Sequence, residues 1–592
     1  MSNLQRLKLL LLLVLILPFV RGDAQRDPLD NLIAFIRLVG DVRYFYPGDV
    51  AAETDWDAFT LHYVEASMSA ENPAVLAREL NAWFAPYAPG VHVFVTGAEP
   101  PTTIDQPAGA TGVTLWGHVP LGAGRTAQLV EGSRMRAPLG AAEVDYVEPV
   151  FGDEPITTIP VRLEPYVVDL GGGVSAVIPL TVYSDDIGTL PHSAPPAPLE
   201  QGVTSATALQ FAILAKAWNA IQHFFPYWRE IDWQWDAALR TALTEVLQPT
   251  AEPFLYTVQR MMARIGDGHS FTSGGGTADG GAYMLPFTWD VIEGQLVVTT
   301  RLSDDSPLPP GTVITAIDGV PAADVLAARL ERESPVGQWG SYNALRLLGS
   351  GAPNETLTLT TASGDVVVPF SVRANSSLRT NWREERPATI IELEDGIWYI
   401  DVMRLTAGEL SRAIPSLADA RGLVLDARGY PTDFTAVPTL LGHLTDEPLS
   451  TAPFYVPIVT MPDHHEWQWL DVRYDLVQPL EARLTSNIAW ILNGNGAVSA
   501  AETIMGIVEG YHLGEIVGEP SAGANGNRVS FSLPGGYATS WTGLYVTKFD
   551  GSPLFGVGVT PTIPFNRTIA GVAAGRDELF EQALDVVRAG LD

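Results

Sequence analysis

The stretch that most constrains this chain is residues 485–510, TSNIAWILNGNGAVSAAETIMGIVEG. Residues 488–492 form a short apolar run, as a buried strand does. Asn493-Gly494-Asn495-Gly496 is a turn cluster. Ala500, Ala501, Ile504, Met505 and Val508 then recur at helical spacing. The prediction is strand, tight turn, helix, with Ser499 at the helix start. A serine there is either an N-cap that accepts a backbone N–H bond, or a nucleophile whose oxyanion is received by N–H groups at the helix N-terminus. The stretch alone leaves both readings open. Glu502, one turn on, reads as a capping-box acid.

The flanking chain narrows the setting. A length of 592 residues predicts three to five domains, not one core. A net charge of -33 argues against nucleic acid or an anionic membrane surface as partner. Arg6 and Lys8, an apolar run over 9–17, Pro18 and the small residues Gly22 and Ala24 read as an export signal over 1–24. A retained N-terminal anchor is the alternative, and no other stretch is apolar enough to span a membrane. The chain has no Cys, which excludes disulfides and thiolate chemistry.

Two segments repeat a layout. Tyr44-Phe45-Tyr46-Pro47 precedes Trp56-Asp57-Ala58, and His223-Phe224-Phe225-Pro226 precedes Trp235-Asp236-Ala237. In each, an aromatic pair precedes a Pro, and Trp follows nine residues later. This predicts a duplicated helical unit, over 25–90 and 205–280, with its aromatics in the core. Residues 91–190, rich in β-branched residues, Gly and Pro, predict an accessory β domain, and 191–204 a Pro-rich linker. His92, His118 and His192 lack ligand-like spacing. His464-His465 with Asp463 and Glu466 reads as a polar surface loop. No metal or cofactor site is expected, and no phosphate loop is visible.

Several motifs then follow in order. Asp267-Gly268-His269-Ser270 closes the second helical unit. Residues 281–375 predict short strands with one helix, and include Gly311-Thr312-Val313-Ile314-Thr315-Ala316-Ile317-Asp318-Gly319. An apolar, parallel-type strand runs into Asp426-Ala427-Arg428-Gly429-Tyr430-Pro431. After the Ser499 helix come Gly518-Glu519-Pro520-Ser521-Ala522-Gly523 and Gly558-Val559-Thr560-Pro561, and an amphipathic helix over 577–591 ends the chain.

This ordered set resembles the tail-specific (C-terminal processing) proteases and the tricorn core protease, from about residue 205 to the end. The resemblance implies a multidomain α/β protein. Its parts would be a crotonase/ClpP-like α/β catalytic core over 376–592, a PDZ-like domain over 281–375, helical subdomains and the accessory β domain. It implies Ser499 as nucleophile, the Ala500 N–H as oxyanion donor, and Thr432 or its neighbour as the second. Thr432-Asp433 replaces the family's Gly-Gly, and Thr562 replaces its closing Asp.

Tail-specific proteases use a Ser–Lys dyad, but Ala524 stands where that Lys falls. Only Lys8, Lys216 and Lys548 are present, none with motif support. The tricorn-like members use a His, here His269, as general base. Asp267 and Ser270 are the nearby candidates to orient it. Phe555 stands where the family's Glu is sought, with Asp550 as a substitute. The implied activity is an exported serine endopeptidase acting on a peptide or protein chain, bound by its C-terminus. The alternative is an inactive peptide-binding protein on the same scaffold. An esterase ranks lower because no G-x-S-x-G elbow surrounds Ser499.

Overall fold

The computed structural model describes residues 27–100, 105–120, 132–147, 155–199, 205–231, 234–248, 251–276, 281–374, 386–462, 464–484 and 486–591. The export signal lies outside the described residues. Among them no helix is long and apolar enough to cross a membrane.

The C-terminal core is a six-stranded sheet whose spatial order follows the chain. Its strands are β1 (Ile390–Glu394), β2 (Ile397–Asp401), β3 (Gly422–Asp426), β4 (Asn487–Leu492), β5 (Glu515–Gly518) and β6 (Ile563–Pro564). The β1–β2 pair is antiparallel and all later pairs are parallel. Both faces are covered, which explains the continuous apolar runs. Leu423, Leu425, Trp490 and Leu492 face α1 (Ala407–Leu417) and α2 (Ala500–Gly510). Val424, Ala489 and Ile491 face α3 (Glu578–Ala589). One alternation of side chains thus serves two cores. The strand–turn–helix reading of 485–510 is the observed β4–loop–α2 unit.

The parallel register sets the site. Asp426 pairs with Ile491, and the Ala427 N–H reaches the Ile491 carbonyl at 2.9 Å. The segment after β3 and the loop before Ser499 therefore leave the sheet side by side. That edge is held by Arg428, fully buried, which donates to Asp426 (2.7 Å) and Asp577 (2.7 Å). Burial alone would raise the Asp426 pKa; Arg386 and Arg428 hold it well below the ordinary carboxylate range.

The repeated aromatic landmarks are core, as expected. The two helical units pack on each other through helices Pro28–Phe45 and Ala206–Phe224. Tyr44 meets Phe224 edge-on at 5.0 Å, and Trp218 and Trp235 exchange indole N–H bonds to each other's carbonyls at 3.2 Å. The described strands between His92 and Ser184 pair antiparallel in three small sheets. His118 is buried there, its Nε2 2.6 Å from the Tyr44 carbonyl.

The module over 281–374 has short strands around its own core, but two helices, Ala322–Leu330 and Gly337–Leu348, where one was expected. The second begins at Gly337 and carries polar side chains toward the core domain, described next.

Candidate active site

Ser499 is the last residue before α2 and has φ 56° and ψ -116°. A side-chain-bearing residue rarely adopts positive φ, at a cost of about 1–3 kcal/mol. Ser499 follows the turn that leaves β4 through Gly496 (φ 125°), and the serine there is partly exposed. Its N–H donates to the Ala524 carbonyl at 2.9 Å and to Glu502 Oε2 at 3.3 Å. Among the described residues the Ala500 N–H has no acceptor. It therefore remains available at the helix N-terminus to an oxyanion.

Glu502 is more than a capping-box acid. It is fully buried and also accepts from the Ser521 hydroxyl (2.6 Å), the Gly523 N–H (2.6 Å) and the Ala524 N–H (2.8 Å). Ser521 Oγ in turn accepts the Val559 N–H at 2.7 Å. One carboxylate thus ties the serine turn, the Gly518–Gly523 motif and the Gly558–Pro561 motif together. Burial pushes its pKa up to about 7, against the pull of these donors.

Ala524 is the hinge between the two halves. Its carbonyl holds Ser499, and its methyl lies against Gly268. A Cβ at Gly268 would fall 2.1 Å from the Ala524 Cβ, so only glycine fits. The space beside the Ala524 methyl is thereby filled by the backbone of the His loop. The two described lysines are spent elsewhere. Lys548 Nζ pairs with Glu509 at 2.9 Å, and Lys216 Nζ with Asp57 at 2.6 Å.

His269, one residue after Gly268, is partly buried. Its Nδ1 is 2.9 Å from Thr542 Oγ1, and that hydroxyl donates its proton to Asp267 Oδ1 at 2.6 Å. A hydroxyl has one proton, so toward the ring Thr542 accepts, and Nδ1 carries the N–H. Nε2 is left with a free lone pair. Burial lowers the His269 pKa against the pull of Asp267, and Arg528 adds to the lowering, so the net shift is downward. The downward shift favours the neutral ring, the form a general base needs.

Asp267 is fully buried and also accepts the His269 N–H (3.0 Å) and the Thr542 N–H (2.5 Å). Its carboxylate meets the imidazole side chain through the Thr542 hydroxyl. The expectation for Ser270 fails. Its N–H bonds to the Asp267 carbonyl at 3.1 Å, and its buried hydroxyl has no partner among the described residues. Asp550 is exposed and caps its own turn through Ser552. Phe555 is buried and stacked on Tyr227 at 4.2 Å.

Thr432 is not an oxyanion donor. Its N–H is given to the Met403 carbonyl at 3.0 Å, as is its hydroxyl at 3.1 Å. In the same loop the Gly429 and Tyr430 N–H groups have no acceptor among the described residues.

Thr542 was not legible as a site residue. It ends the strand Tyr537–Thr542, which pairs with Thr272–Ser273 just after the His loop. Only this non-local pairing delivers it. The 281–374 module also grips the loop. The Ser334 hydroxyl accepts the Asp267 N–H at 3.0 Å, Trp339 donates to the Gly268 carbonyl at 3.1 Å, and Gln338 donates to the Ser521 carbonyl. Beside the His loop, Gly266, Val336, Phe555 and Val557 line a cavity of about 700 Å³. No group of His, Asp or Glu able to hold a metal occurs among the described residues.

Residues 464–565, from His464 past Ser499, Glu502 and Thr542, match the model of Peptidase family S41. Among solved structures, the chain is similar to a serine-to-alanine mutant of CPAF at 16% identity and a TM-score of 0.51. That match covers 65% of this chain and 98% of the other. Mature CPAF gives 17%, 0.49 and the same coverage. The photosystem II D1 C-terminal processing protease gives 14% and 0.34, covering 63% and 98%. The 0.51 match supports the same fold across roughly two-thirds of the chain. No curated protein matches the sequence.

Proposed function

Starting from a serine-type peptidase with an S41 domain over 464–565, we propose an exported endopeptidase in which Ser499 attacks the peptide carbonyl and His269 takes its proton. The observation that carries this reading is the relay from His269 Nδ1 through Thr542 to Asp267. It presets the tautomer with Nε2 as acceptor, which is what a general base for serine requires.

In the proposed cycle, Nε2 accepts the Ser499 hydroxyl proton as Oγ bonds to the carbonyl carbon. The Ala500 N–H and a second N–H from the 429–430 loop receive the oxyanion. The imidazolium returns its proton to the leaving amine, giving an acyl-enzyme. Water then repeats the steps: His269 takes its proton, and Ser499 leaves with a proton on Oγ. The 281–374 module, proposed as PDZ-like, holds the chain end of the substrate. Its Gln338 and Trp339 bonds to the site loops support that role. Export rests on the N-terminal residues of the sequence.

The test is peptide hydrolysis by Ser499→Ala and His269→Ala, with fluorophosphonate labelling of the wild type. Loss of turnover in both, and labelling at Ser499, are expected. Turnover retained by either variant removes that residue from the mechanism. Peptide binding by the wild type without labelling or turnover would favour the inactive binder.

A further inference from the structure

We propose that this chain has a second ligand site, for a planar aromatic acid, in the cavity walled by Trp228, Tyr455, His464, Trp467, Trp469 and Tyr545. The cavity is about 600 Å³, within the range of small-molecule sites. It lies where the second helical unit meets the three-stranded sheet of Phe454–Ile458, Gln468–Val472 and Tyr545–Val546.

Its wall is a continuous run of rings. Trp228 and His464 are 4.2 Å apart, His464 and Trp467 5.1 Å, Trp467 and Trp469 5.7 Å. Trp469 and Tyr545 follow at 5.8 Å, and Tyr545 and Tyr455 at 6.0 Å. Tyr455 and Tyr545 are cross-strand partners, and Pro457, two residues from Tyr455, pairs with Trp469, so three rings rise from one sheet face. Trp469 remains 37% exposed within this concavity. A flat ligand ring meets such faces in stacked or edge geometry.

The polar groups favour an anion. Arg229 lines the cavity beside Tyr545, is exposed, and forms no ion pair among the described residues. Its guanidinium is thus available to a ligand at the cavity rim. Two buried groups of the wall, Trp467 Nε1 and Thr547 Oγ1, have no partner among the described residues, and both can donate. The Tyr545 hydroxyl is given to Glu230, so the nearby carboxylate is itself engaged. Aromatic faces plus a guanidinium suit a carboxylate-bearing aromatic, which is either a free small acid or a chain end with an aromatic last residue.

The site is separate from the proposed catalytic groups. Tyr227 stands between, 5.1 Å from Tyr545 on one side and stacked on Phe555 on the other.

The experiment is isothermal titration calorimetry on the full chain carrying Ser499→Ala, with N-acetyltryptophan, its amide, a tripeptide ending in Trp, and chitotriose. The acid is expected to bind, and the amide about tenfold or more weakly, a difference of about 1.4 kcal/mol. Arg229→Gln should reduce the acid to the level of the amide and leave the amide unchanged. Trp469→Ala should weaken both about tenfold. Both side chains are exposed, so the fold is expected to persist, checked by circular dichroism. Tripeptide binding equal to the acid identifies a chain-end site; binding of the small acid alone identifies a free ligand; either supports the proposal. Absence of binding at several millimolar acid, equal binding of acid and amide, insensitivity to both substitutions, or binding of chitotriose in place of the acid overturns it.

Discussion

The Thr542 hydroxyl joins two residues that lie one turn of loop apart yet do not bond side chain to side chain: His269 donates to it at 2.9 Å and it donates to Asp267 at 2.6 Å. Replacing Thr542 by Val keeps the shape and removes both bonds. The Nδ1–H is then unpaired and either tautomer is open to the ring. We expect Thr542→Val to lower kcat by about 10²-fold, within the range attributed to positioned bases, with KM little changed. Thr542→Ser should restore most of the rate. Steady-state kinetics on one peptide substrate checks this; a kcat loss below twofold would remove the relay.

Gly268 and Ala524 occupy one volume. Gly268→Ala places a methyl 2.1 Å from the Ala524 Cβ and should part the His loop from the Ser499 turn. A large kcat loss is expected. Ala524→Gly on top of it vacates the contested space and should recover at least tenfold of that loss. Additive defects in the double variant would contradict the contact.

Ser499 holds a backbone conformation that side chains resist. In inactive variants, Ser499→Gly should unfold at a higher temperature than Ser499→Ala, by the equivalent of about 1 kcal/mol. Differential scanning calorimetry reads the difference. Equal midpoints would mean that the turn carries no strain.

Two groups separate in pH. Burial lowers the His269 pKa, so the acidic limb of kcat/KM should lie at lower pH than an ordinary histidine would give. Glu502 is raised from 4.5 to about 7. The native state then binds more protons than the unfolded state between those values, so this group's contribution to stability falls as pH rises through that window. Glu502→Gln should flatten the fall in thermal midpoint between pH 4.5 and 7 while leaving the His269 limb in residual activity. An unchanged slope would show that Glu502 is ionised throughout.

The cavity beside Gly266 carries exposed Val336 and Val557. As a pocket for a substrate side chain it should respond to Val557→Trp, which fills it. KM for peptides with large apolar residues should rise about tenfold, a change of about 1.4 kcal/mol, and those with small residues should be spared. A uniform effect on all peptides would place the pocket outside recognition.

Local pattern was enough for β3, β4, α2 and α3, because a strand buried on both faces and an amphipathic helix each leave a periodic apolar signature. It also placed the aromatic landmarks in the core, whereas Ser499 and His269 stood out as candidate chemistry only through the resemblance of the ordered motifs to a protease family. Pattern could not show that Thr432 spends its N–H on Met403, since that depends on where another segment's carbonyl lies. Nor could it show Thr542, because nothing near that residue differs from an ordinary strand end. A hydrogen bond between residues 273 positions apart has no local trace. The chain by itself determined which side chains could carry a proton; the pairing of Thr272–Ser273 with Tyr537–Thr542, and the fit of Gly268 against Ala524, decided which of them hold the imidazole. Short-range order follows from each residue's own backbone and burial preference, whereas the site is made by contacts that form only once separate segments pack.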